Sequence, residues 1–249
     1  MRVLTWNLNR CSGGGGGCRT ESQVLAFLQK HADSIDVACL QLCPSDLVQA
    51  ATKALGVGFH AAAFTPRDFQ ESGDCGVAIV SRLKSCDPEL GASHVCATLE
   101  EGDVCVKIAC AHLDNTSEAK RIQQVAEIIT AHAPDVIAGD LNALCRTDYG
   151  EEGWKALEDL ANRKGWEPRM EACTRLVAAS GYQDVASSSE PKPFEATFVL
   201  RLPDEDPTPL RLDYVYVRGS ADIGVCRVFA EAGGASNHFP MLSDVRIEK

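Results

Sequence analysis

Short apolar runs rich in Val and Ile recur along this chain and stop abruptly at Asn, His or Asp. Val3-Leu4-Thr5-Trp6 stops at Asn7-Leu8-Asn9, Val104 to Ala111 stops at His112-Leu113, and Asp135 to Ala138 runs into Gly139-Asp140-Leu141-Asn142. Leu212-Asp213-Tyr214 and Ser236-Asn237-His238 repeat the arrangement further along. Runs of this length and composition read as buried strands, and a polar residue just beyond such a strand sits where a rigid sheet presents side chains to a cleft. Singly, each is also a turn residue or a satisfied hydrogen bond; together they outline a site.

Between these runs the spacing changes. Val24, Leu25 and Leu28 lie at helical spacing within Glu21 to His31, and Ile35 to Leu42 is again strand-like, so the chain opens as β-α-β. Ser45, with Pro44 ahead of it, is expected to cap a second helix through Leu55. Val57 to Phe64, Gly76 to Ser81, His94 to Leu99 and Val104 to His112 follow as strands without helices between them, which predicts antiparallel neighbours. From Ser117, the residues Ala119, Ile122, Val125, Ala126 and Ile129 form one apolar helical face. Further helices are predicted over Glu152 to Lys164 and Glu171 to Ser180. A Ser/Pro-rich link (Ser187 to Pro193) leads to strands near Ala196 to Leu200, Leu210 to Val217, Ile223 to Phe229 and Met241 to Ile247, with Pro203 to Pro209 as a hairpin tip. The economical architecture is one domain over residues 1–249 with an α/β (α+β) fold: a four-layer α/β/β/α sandwich of two mostly antiparallel sheets with helices outside.

Several functional classes are disfavoured. The run Gly13 to Gly17 lacks the Gly-Lys-Ser/Thr ending of a phosphate-binding loop and reads as a spacer. A net charge of −11 disfavours diffuse attraction to polyanions, although a local basic patch can still take phosphate. Arg67, Arg82, Arg121 and Arg211 are the candidates for such contacts, although each taken singly reads first as a solvated surface arginine. The 12 cysteines are scattered without paired C-x-x-C spacing, so free buried thiols in a reducing, intracellular compartment (cytoplasmic or nuclear) are expected. No secretory signal or membrane segment is expected, and the chain is read as a monomer. Trp154 and Trp166 read as half-buried helix packing rather than base-stacking platforms.

In order, Trp6-Asn7, Gln41, Gly76-Val77-Ala78-Ile79-Val80-Ser81, His112-Leu113, Gly139-Asp140-Leu141-Asn142, Asp213-Tyr214-Val215 and Ser236-Asn237-His238 resemble the ordered motifs of the endonuclease/exonuclease/phosphatase superfamily, over nearly the whole chain. Asp148-Tyr149, Trp154, Trp166-Glu167-Pro168 and Gly181-Tyr182 with Asp184 are similar to a branch near the tyrosyl-DNA phosphodiesterases. The resemblance implies a metal-dependent hydrolase of phosphate esters, of phosphodiesterase, nuclease or phosphatase type, using Mg2+ or Mn2+. It implies that Asp140 orients or deprotonates water, that Asn7, Asp140 and Asn142 hold the metal, and that Asn7 and Asn142 also bind the phosphate, Asn142 as part of the catalytic set. His238 would contact the transferring phosphoryl group beside Asn237, with Asp213 as buttress, and His112 would donate toward the ester. The substrate class stays at phosphate ester, a DNA or RNA end included.

Two positions depart from the family pattern. Leu42 stands where the glutamate metal ligand follows Gln41, and Asn237 stands where an aspartate holds the final histidine as a charged pair. An amide can orient His238 by a hydrogen bond but does not favour its imidazolium. Asp46 or Asp74 could replace the missing carboxylate, although each reads first as a cap or turn residue. The alternative to an enzyme is therefore a catalytically inactive relative acting as a phosphate-binding, nucleic-acid-binding or scaffold module.

Overall fold

Successive residues of a strand face opposite sides of the sheet, so a strand buried on both faces needs two different apolar partners. In the first strand, Val3 joins one core cluster while Leu4 and Trp6 join another. The computed structural model describes residues 1–12, 20–66, 75–167, 171–187, 195–203, 205–219, 221–232 and 234–247. In chain order the elements are β1 (Arg2–Asn7), α1 (Glu21–His31), β2 (Val37–Pro44), α2 (Ser45–Leu55), β3 (His60–Pro66), β4 (Cys75–Ser81), β5 (Lys84–Leu90), β6 (His94–Glu101) and β7 (Val104–His112). They continue with α3 (Glu118–Glu127), β8 (Val136–Asp140), α4 (Arg146–Lys164), α5 (Ala172–Ala179), β9 (Tyr182–Asp184), β10 (Phe198–Leu200), β11 (Thr208–Leu210), β12 (Asp213–Arg218), β13 (Ala221–Val228) and β14 (Met241–Ile247).

Two sheets have six strands each, ordered β13-β14-β1-β2-β4-β3 and β5-β6-β7-β8-β12-β9. Only the β1–β2 and β7–β8 pairs among them are parallel; the other described pairs are antiparallel. Each parallel pair is joined by a helical crossover, α1 in the first sheet and α3 in the second, as a parallel connection requires. The inner faces share one core, in which Val3, Val37, Ile79 and Val245 of the first sheet meet Val95, Ile108, Val136 and Val215 of the second. Outside the first sheet, Leu4, Trp6 and Leu40 pack on Val24, Phe27 and Leu28 of α1 and Leu47 and Ala51 of α2. Outside the second, Ala109, Ile137 and Tyr214 pack on Val125 of α3 and Cys173 and Val177 of α5. The result is the expected four-layer α/β/β/α sandwich.

Local differences from the sequence reading have local causes. Pro44 occupies the cap position of α2 and Ser45 is its first helical residue, so the expected serine cap is not formed. Strand β5 (Lys-Ser-Cys-Asp-Pro-Glu-Leu) lies at a sheet edge with little burial, and it carries no apolar run to betray it. The stretch read as one strand, Leu210 to Val217, is two: β11 pairs with β10 in a separate ribbon, and β12 enters the second sheet. The last two residues of the expected hairpin tip, Thr208 and Pro209, belong to β11 itself and pair with Leu200 and Val199 of β10. Among the described residues no cysteine forms a disulfide. The glycine run and most of the Ser/Pro-rich link lie outside the described residues.

Candidate functional site

The inward-facing parity of the core strands continues past their last apolar residue. Cys110 of β7, Ala138 of β8 and Val215 of β12 line the inter-sheet core, and two residues along the same faces stand His112, Asp140 and Asp213. These three form one row across adjacent strands, since both His112 and Asp213 are the Cα partners of Asp140. Asn7 ends β1 on the inner face of the opposite sheet and closes the row from above. Its Nδ2 donates to Asp140 Oδ2 at 2.8 Å, bridging the two sheets.

The row depends on one glycine. Gly139 has φ +152°, and a Cβ built there would lie 1.9 Å from the Ala111 carbonyl oxygen. Only a residue without a side chain lets β7 and β8 approach here, which sets His112 beside Asp140.

Asp140 is 1% exposed and heavily bonded. Its Oδ1 accepts the Asn142 backbone N–H at 2.9 Å, and Asn142, at φ +49°, donates from Nδ2 to the Leu113 carbonyl at 3.1 Å. The Nε2 atoms of His112 and His238 stand 3.6 and 3.8 Å from Asp140 Oδ2, both longer than a hydrogen bond. His238 arrives on the loop before β14. Its Nδ1 is 2.8 Å from Asp213 Oδ2, its backbone N–H donates to Ser236 Oγ at 3.2 Å, and its carbonyl accepts Trp6 Nε1 at 3.0 Å.

That geometry corrects the reading of Asn237. The carboxylate paired with His238 comes from Asp213 at the start of β12, while Asn237 lies beside Ser236 Oγ at 3.5 Å. The imidazole therefore keeps an acidic partner although residue 237 is an amide. Asn7 also differs from a simple metal ligand. Its Oδ1 accepts the Asn9 N–H at 2.9 Å while its Nδ2 holds Asp140, so both ends of the amide orient protein groups.

Leu42 lies one residue beyond the Gln41 that pairs with Asn7, in a left-handed conformation (φ +46°) where the β2–β4 register shifts. Gln41 turns into the core, donating to Thr5 Oγ1 and the Cys39 carbonyl. Asp46 lies in the first turn of α2, and Asp74 is outside the described residues. At this site the ligand atoms of Asp140, Asp213 and His238 lie within 4.8 Å of one another. Asp213 Oδ1 is buried with no hydrogen-bond partner among the described residues, so it has an unsatisfied lone pair to offer. The two carboxylates offer oxygen ligands that fit a hard divalent cation, even without a ligand from β2.

The arginines proposed from sequence serve other ends. Arg211 is 2% exposed; it donates to Asp148 from Nε and Nη2 at 2.8 and 3.0 Å, contacts Asp184, and lies 4.4 Å over the Tyr214 ring. Burial holds the Asp148 carboxyl above its usual range despite this partner. Arg121 is buried against Glu118, which also accepts the Cys173 N–H and so ties α3 to α5. Arg82 binds the Ala32 carbonyl and stacks on Phe59, and Arg67 is outside the described residues. Trp154 is buried beside Leu144 and Leu210, and Trp166 is partly exposed.

Ser236, inside a motif read from the sequence, and two residues that sequence reasoning missed, Thr197 and Phe198, support the site from behind. Ser236 Oγ donates to the Asn7 carbonyl at 2.7 Å, Thr197 Oγ1 accepts the N–H groups of Leu212 and Asp213, and the Phe198 ring packs 4.8 Å from His238. Thr197 and Phe198 carried no local signal, because only the fold brings that segment against β12.

Solved structures share the arrangement of layers at low identity. An endonuclease/exonuclease/phosphatase family protein from Leptotrichia buccalis C-1013-b aligns at 14% identity and TM-score 0.69, covering 99% of this chain and 100% of its own. A mannosyl-6-phosphatase from Bacteroides thetaiotaomicron VPI-5482 aligns at 14% and 0.68, covering 99% and 100%. D. rerio TDP2 complexed with single strand DNA product aligns at 14% and 0.66, covering 99% of each chain. No curated protein matches the sequence. The model of the Endonuclease/Exonuclease/phosphatase family matches residues 4–244, and the chain belongs to that family.

Proposed function

We propose that this protein is a phosphoric ester hydrolase whose reaction is carried out by Asp140, His112, His238 and Asp213, with a divalent magnesium or manganese ion. The observation that carries the reading is the convergence of two histidine Nε2 atoms and Asn7 Nδ2 on one buried carboxylate oxygen of Asp140. Both histidine distances exceed a hydrogen bond, which suits groups that close on a substrate oxygen rather than on each other. A cation held by carboxylate oxygens of Asp140 and Asp213 would place positive charge against the phosphoryl oxygens.

The chain's own groups would do the rest. Asp140, fixed by Asn142 N–H and Asn7 Nδ2, orients water for in-line attack and accepts its proton. His238, held at Nδ1 by Asp213, presents Nε2 to the phosphoryl group as charge develops there. His112 donates toward the ester oxygen. The Asp213–His238 pair supports an active site over a silent one, since the imidazole retains the carboxylate that residue 237 does not provide.

A small phosphate ester suits the site better than a long nucleic acid. Arg82, Arg121 and Arg211 are engaged by internal carboxylates or carbonyls, and the net charge of −11 opposes tracking along a polyanion. The experiment is a Mg2+ and Mn2+ titration of turnover on p-nitrophenyl phosphate, bis-p-nitrophenyl phosphate and a tyrosyl-linked oligonucleotide. Metal-dependent release of nitrophenol by the wild type, lost in Asp140→Asn, is expected. No turnover of any substrate at any metal concentration would sink the hydrolase reading, and a strong preference for the oligonucleotide would overturn the choice of substrate size.

A further inference from the structure

A second group of metal-ligating side chains lies on the outer face of the second sheet, away from the phosphate-ester site. His94 and Cys96 are two residues apart on β6 and share a face, and His132 ends the short π-helical stretch Ile128–His132 that continues α3. One ligand atom from each lies within 4.8 Å of the others. A tetrahedral zinc site holds such atoms about 3.5 Å apart, so small side-chain rotations close the gap.

Three independent features make this more than a chance cluster. His94 is fully buried, and neither ring nitrogen has a hydrogen-bond partner among the described residues. Native structures rarely leave an imidazole in that state, and a ligated cation would engage one of its nitrogens. His132 Nδ1 lies 2.6 Å from Glu89 Oε2, and Glu89 accepts in turn from Lys107 Nζ at 2.5 Å. A carboxylate on one imidazole nitrogen leaves the other for a metal, the usual support of a histidine ligand. Finally, Gly91 lies against the His94 ring, where a Cβ would come within 2.2 Å of Cε1, so the turn between β5 and β6 is shaped around this imidazole.

We propose that His94, Cys96 and His132 form a site for a borderline-soft divalent cation, zinc above all, with Glu89 orienting His132. Two imidazoles and a thiolate select zinc or cobalt over magnesium or calcium, and the fourth tetrahedral position is left to water. A cation there would staple β6 to the end of the α3 crossover.

The test titrates the full chain, stripped by chelator, with Co2+ in the absence of phosphate ester. One equivalent is expected to produce a thiolate-to-cobalt charge-transfer band with the visible spectrum of tetrahedral cobalt, both displaced by Zn2+. Cys96→Ser abolishes the band, whereas Glu89→Gln retains it and weakens affinity by about 10- to 100-fold. Absence of the band in the wild type, or its survival in Cys96→Ser, overturns the proposal. The cluster of Asp140, Asp213 and His238 contains no thiolate, so binding confined to that site gives no band and also overturns it. If Cys96→Ser fails to fold by circular dichroism, His132→Gln decides: weaker cobalt affinity supports the site, and unchanged affinity refutes it.

Discussion

Arg211→Met separates a structural arginine from a phosphate-binding one. Arg211 is 2% exposed, with three hydrogen bonds to Asp148 and Asp184, whose side chains are each 8% exposed. Methionine replaces the aliphatic stem with an apolar chain of similar bulk, so the loss is mainly that of the cation the two carboxylates share. Removing one partner of a buried ion pair costs about 3–5 kcal/mol, and we expect about 4 kcal/mol here, a large share of the roughly 5–15 kcal/mol that holds a domain folded. The deficit also depends on pH. Burial already raises the Asp148 pKa, and without the guanidinium it rises further. A folded carboxyl with a raised pKa binds its proton before the unfolded one does, so stability falls as pH rises through that window. Each unit of acidification below the variant's Asp148 pKa therefore recovers about 1.4 kcal/mol until the unfolded value near 3.9 is reached. Urea unfolding of wild type and variant, followed by tryptophan fluorescence at about pH 8 and about pH 5, should show the gap narrowing in acid. A loss under about 1 kcal/mol, or a gap independent of pH, would refute the reasoning. A raised KM for phosphate ester in the still-folded variant would restore the arginine to the substrate.

Asp213→Asn should lower kcat by roughly 10²- to 10⁴-fold with little change in KM, because His238 loses the carboxylate on Nδ1; steady-state kinetics across pH measures it, and a change in KM alone would contradict the assignment. Leu42→Glu adds a carboxylate beside the Asn7 end of β1 and should tighten Mg2+ or Mn2+ binding by about tenfold or more, read from the metal dependence of turnover; unchanged metal affinity would place residue 42 outside the cation's reach. Gly139→Ala forces a Cβ into the Ala111 carbonyl and should cost roughly 3 kcal/mol or more along with activity, and a fully stable, active variant would refute the close approach of β7 and β8.

Much of the site was legible because polar residues at the ends of buried strands break a strong pattern. His112 and Asp140 lie two residues after inward-facing Cys110 and Ala138, Asp213 lies two before inward-facing Val215, and Asn7 shares the inner face of β1 with Val3, so that parity alone aims all four toward one space once two sheets are stacked. The arginines were not legible. Arg121 and Arg211 look like surface cations in the sequence, yet folding buries both: Arg121 with its helix neighbour Glu118 under α5, and Arg211 against Asp148 and Asp184 from distant elements. Edge strand β5 escaped notice because a strand that buries almost nothing leaves no apolar signature.

The layers, the strand ends and most of the polar cluster follow from local chemistry, since the alternation of apolar residues determines which face is buried wherever a strand has two packed sides. The partner of His238 could not follow from it. Asn237, beside the histidine in sequence, suggested a lost carboxylate, whereas Asp213 supplies one from 25 residues away. Hydrogen bonds form between neighbours in space, and only the pairing of β12 with β8, together with the loop that brings His238 over it, makes those two residues neighbours. The grouping of His94, Cys96 and His132 has the same origin, because two strand residues and a helix end have no common pattern in the chain until the crossover helix lies on its sheet.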